Sequence, residues 1–81
     1  MKPAEARRLA SEHDVKALDA AIEKLMEEHD AEIHVEGEDH GEKLTHCLLA
    51  KRIRERVDAG EELKDAFRAV VGEVRSVVSN R

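Results

Sequence analysis

The chain has no tryptophan, no tyrosine and one phenylalanine, Phe67. Its core has to be assembled from small and medium side chains, which favours close helix packing over a large enclosed pocket. The same shortage argues against stacking on unpaired bases. Cysteine is equally scarce: Cys47 stands alone, which rules out an intrachain disulfide and points to a reducing compartment. No apolar run approaches the length of a membrane span, and the opening MKPAEARRLA lacks the apolar segment of a signal peptide. The expected location is cytoplasmic, away from membranes. HExxH and CxxC patterns are missing, and GEDHG lacks both the length and the lysine–serine ending of a phosphate loop.

What is present is charge and helical periodicity. Eighty-one residues allow a single domain, residues 1–81. A chain of this size buries only about 60% of its unfolded surface, so association with a second copy is an attractive way to extend the core. The net charge of −5 is unevenly spread. Residues 1–41 hold twelve acids and five bases, and residues 42–81 hold seven acids and nine bases. An acidic protein repels nucleic acid in general. Only the cluster KRIRER, Lys51 to Arg56, offers a local basic surface, and neutralising the acidic N-terminal half is the better use for it.

The strongest pattern is Leu63 to Val78. Leu63, Phe67, Val70, Val74 and Val77 recur at helical spacing, with Ala66, Val71 and Val78 widening the stripe and Val74 at its centre. Earlier in the chain, Pro3 suits the first turn of a short helix through Leu9 and Ala10. A second helix is expected from Asp14 to about His29, with Val15, Leu18, Ile22, Leu25 and Met26 facing inward. A third starts near Glu42 or Lys43 and ends before Gly60, a residue able to close a helix in the left-handed conformation. Its first turns are apolar nearly all round: His46, Leu49, Ala50 and Ile53 on one face, Leu44, Cys47 and Leu48 on the other. It therefore needs neighbours on both sides.

Between the second and third helices, Ala31, Ile33 and Val35 alternate with Glu32, His34 and Glu36. That alternation predicts a short strand or extended segment. Its backbone groups need partners, and no second strand exists in the chain. Antiparallel pairing with its own copy across a two-fold axis would supply them.

Chemistry-bearing residues are few. His34, His40 and His46 lie among Glu36, Glu38, Asp39 and Glu42, donor types competent for metal but without a tight ligand spacing. His46 reads as a neutral core histidine bonded to a backbone carbonyl or an acid; the rival reading makes it a general base oriented by Glu42. Cys47 reads as a small buried hydrophobe. The expected fold is mainly α, a bundle of three to four helices with one short extended or β segment able to pair across a dimer. The expected function is non-enzymatic, through self-association or a protein partner, with no catalytic residue, cofactor or metal. Ile33, Val35, Val74, Val77 and Val78 are the expected partner contacts. The alternatives are a DNA-binding regulator built on the N-terminal helix pair, and a metal-binding protein using the histidine and acidic loop.

Overall fold

A computed structural model describes the backbone of residues 1–79 and the side chains of residues 1–74. Among the described residues four helices make up an all-α bundle: α1 (Pro3–Glu12), α2 (Val15–Met26), α3 (His40–Asp58) and α4 (Leu63–Ser79). The hub is α3, against which α1, α2 and α4 all pack. Lys51 of α3 reaches Asp19 of α2, Arg52 and Arg56 reach Glu73 of α4, and Arg54 reaches the Ala10 carbonyl of α1. These bonds place the three helices around three sides of α3. The bundle is thin, 32 × 31 × 16 Å.

Local chemistry explains where the helices begin. Pro3 occupies the first turn of α1, where its missing N–H costs no hydrogen bond. Asp14 caps α2 by accepting the Ala17 N–H at 2.8 Å, and Asp39 caps α3 by accepting the Glu42 N–H at 2.8 Å. The cap at Asp39 starts α3 at His40, ahead of the expected Glu42 or Lys43.

The helix ends differ from one another. α2 closes at Met26, short of the expected His29, because Glu28 turns left-handed (φ 62°) and the N–H groups of Glu28 and His29 bond back to Leu25 and Lys24. α3 closes in the same manner with Gly60 (φ 114°) in that role, where glycine has no side chain to strain.

The core is aliphatic. Leu9, Leu18, Ile53, Val70 and Cys47 are fully buried, with Ala6, Ala10, Ala21, Ala50 and Ala66 allowing the helices to approach closely. On α4 Ala66 and Val70 are fully buried, while Val74, one turn further on, is half-buried against the core. On α3, Leu49, Ala50 and Ile53 are inside and Leu48 is 46% exposed, so the expected second layer of neighbours is incomplete within the chain.

The expected β segment does not form. Among the described residues there is no strand, and residues 27–39 make a non-helical connection from α2 to α3. Its backbone partners are side chains rather than another strand. The Glu36 N–H donates to Glu5 (2.8 Å), the Glu36 carbonyl accepts from His46 Nδ1 (2.7 Å), and the His34 carbonyl accepts from Arg8 (3.0 Å). Val35 is buried in the core, and Ile33 packs half-buried beside Ala17, Ala20 and Ala21 of α2. Gly37 follows, where an added Cβ would lie 2.8 Å from the Lys43 side chain and 3.0 Å from its backbone nitrogen. The connection is thus held against α1 and α3 at both backbone and side chain.

Candidate functional site

Two polar residues are buried among the described residues, Glu5 and His46, and they grip the same stretch of chain. α1 places Glu5 one turn before Leu9, on the face that enters the core. Arg8 then forms a bidentate pair with it, both bonds at 2.7 Å, and extends to Glu12 at 2.8 Å. The Arg8 guanidinium, more than the Glu36 N–H, holds the Glu5 carboxyl down at about 2, against the opposing effect of burial. Glu5 is therefore an ionised acceptor with its oxygens occupied.

His46 is fully buried on the α1 side of α3. Its Nε2 accepts the Lys2 backbone N–H at 2.9 Å. That leaves Nδ1 as the protonated nitrogen, donating to the Glu36 carbonyl. The ring is a neutral clamp joining the start of the chain to the connection, and neither nitrogen is free to move a proton or ligate a metal. Glu42 does not bond to His46. Its carboxylate accepts the Glu38 N–H at 2.9 Å and lies 3.2 Å from the Met1 amine. Those two partners, the N–H first, hold it below the usual carboxylate range.

Cys47 faces the core, where burial pushes its thiol up to about 11 and keeps it protonated. His34 is exposed, and His40 is half-buried with Nε2 3.4 Å from Asp30. The three histidines do not converge. Among the described residues no three His, Cys, Asp or Glu side chains come together as a group able to hold a metal ion.

The basic cluster is matched internally. Lys51 bonds Asp19 at 2.8 Å, Arg52 pairs with Glu73, Arg54 with Asp58 at 3.0 Å, and Arg56 with Glu61 at 3.1 Å. Of these four, only Lys51 spends its charge on the acidic N-terminal half; the three arginines neutralise the end of α3, the turn before α4 and the middle of α4. Among the expected partner contacts, Val35 is in the core, and Ile33 and Val74 are half-buried against it. The side chains of Val77 and Val78 lie outside the described residues. Sequence reasoning passed over Glu5. The available signal was a carboxylate one turn from Leu9, with an arginine three residues on.

The chain belongs to a family of unknown function, DUF6952, whose model matches residues 1–79. No curated protein and no solved structure matches it. Among the described residues no helix is long and apolar enough to cross a membrane.

Proposed function

We propose that this protein is a non-enzymatic association module whose first partner is a second copy of itself. The observation that supports the reading is the exposure of large apolar side chains beside the hub helix. Among the described residues Leu48 is 46% exposed and Met26 68% exposed, with Met1 48% exposed at the start of the chain. A bundle only 16 Å thick gains most by burying one of its broad faces. The polar centre at Glu5 and His46 is engaged with the Arg8 guanidinium and with backbone groups, and has the character of a fastening rather than a reactive site.

The test is the native mass in solution, with metal content read on the same sample. Sedimentation equilibrium at about 100 μM should return twice the 9.1 kDa chain mass, without stoichiometric metal. A monomer under those conditions removes self-association. A mobility shift of DNA at low salt would favour the regulator instead.

A further inference from the structure

α2 and α3 are each entered through an aspartate cap, and α1 is not. Its N-cap residue, Lys2, gives no side-chain bond to the first turn, and Pro3 has no N–H. The entry is fastened from outside the helix. The Lys2 N–H donates to His46 Nε2 on α3 at 2.9 Å, and the Lys2 carbonyl accepts the Glu5 N–H at 3.0 Å to begin α1. A single imidazole lone pair thus stands where the other two helices have a cap.

The two bonds of that ring respond differently to a second proton. Nδ1–H donates to the Glu36 carbonyl whether the ring is neutral or charged. Nε2 accepts only in the neutral ring. Once protonated it sets an N–H against the Lys2 N–H, and neither group can accept. Charging the ring therefore breaks the bond to the entry of α1 and spares the bond to the connection.

We infer that His46 is an acid-operated latch, whose second proton releases Lys2 and the entry of α1 from α3 while the connection stays fastened. The latch is independent of self-association. His46 is fully buried, so a charged ring needs an acceptor close by. Two carboxylates act on it by charge, Glu5 from α1 and Glu42 from one turn earlier on α3. Glu5 is bonded to the Arg8 guanidinium and the Glu36 N–H, and Glu42 to the Glu38 N–H, with the Met1 amine 3.2 Å away. These partners keep both carboxylates ionised when histidine gains its charge, so either can take the new N–H. Lys2 also lines a shallow depression with the titratable side chains of His34, Glu36, Glu38, Glu42 and Lys43. Among the described residues α2 and α4 place no hydrogen-bonding group on the ring.

The test follows the His46 ring nitrogens and the backbone amides of the full chain by NMR from about pH 8 to 5, the range in which histidine changes charge. At the upper end Nδ1 should carry the proton and Nε2 none. As Nε2 gains its proton, exchange of the Lys2 amide with water, corrected for its intrinsic pH dependence, should accelerate about tenfold, the loss of one hydrogen bond. The Glu36 amide is the internal control. It is held by Glu5 at 2.8 Å, and Glu5 stays ionised throughout, so its exchange should not change. His46→Gln has no titrating ring and should show no acid-dependent step at Lys2; a step that persists there assigns the release to another group and overturns the latch. Should that variant fail to fold, the parent decides alone. A Lys2 step whose midpoint differs from that of the ring overturns the latch, as does a ring that charges while Lys2 stays protected. A ring that keeps one protonation state across the range overturns it as well. Opening of Lys2 and Glu36 together overturns the selective release.

Discussion

α3 and α4 are neighbours of similar length, nineteen and seventeen residues, with opposite relations to the core. α4 lies mainly on α3, touching α1 near its start, where Arg7 sits over the Phe67 ring at 5.8 Å. Its apolar residues need cover only one direction and fall into a clean stripe. α3 meets other helices on three sides, so its apolar residues are spread around the cylinder and mixed with a buried histidine and a buried cysteine. A sharp stripe therefore marks a helix that lies on something. A smeared one, broken by polar residues that bond to backbone, marks what is lain upon.

The largest expected effect tests whether the polar side of the hub holds the fold as firmly as its apolar side. His46→Leu keeps the volume but leaves the Glu36 carbonyl and the Lys2 N–H without their partner. Stranding such groups costs about 1–3 kcal/mol each when buried, and both are part-buried, so urea unfolding should register a loss of about 3 kcal/mol. A change below about 0.5 kcal/mol would mean that water replaces the ring and that the hub is apolar in its energetics.

A smaller effect probes the other half of the same fastening. The Glu5 carboxyl sits at about 2 in the fold against 4.5 as its ordinary value. A depressed carboxylate contributes its full stabilisation above the ordinary value and loses it as pH falls towards the folded one. The parent should lose stability between about pH 4.5 and 2 beyond what Glu5→Gln loses, and the variant should be weaker by about 2 kcal/mol at neutral pH. Parallel stability curves for the two proteins would show that the Arg8 pair contributes nothing that water does not.

The same contrast explains what the sequence made legible. α2 and α4 were readable because each has a one-sided stripe. The start of α2 near Asp14 was readable, but the caps that Asp14 and Asp39 make, the latter with Glu42 three residues on, are equally local and were passed over. The misread stretch is residues 31–36. Ile33 and Val35 do alternate, but one packs on α2 and the other enters the core. The backbone partners come from Glu5, Arg8 and His46, at sequence separations of 31, 26 and 10. A period-two pattern reports which side chains are apolar; it carries no information about which distant side chain will satisfy the amides. The exposure of Leu48 on α3 was half legible. Leu44 and Leu48 announced a second apolar side, but nothing in the spacing told that α2 would cover part of it and leave Leu48 out.

The smallest effect asks whether α4 is as peripheral as its packing suggests. Val70 is buried, whereas Val74, one turn on, is only half-buried against the core. Removing two methyl groups costs transfer free energy at either site, but a cavity forms only where neighbours enclose the side chain. Val70→Ala should therefore cost about 2 kcal/mol, and Val74→Ala about 0.5 kcal/mol, in urea unfolding at a concentration low enough to exclude association. The comparison is internal, because both valines sit on one helix and lose the same atoms. Equal costs at the two positions would place Val74 inside a packed environment, and α4 would then be a second organising helix rather than a cover for the first.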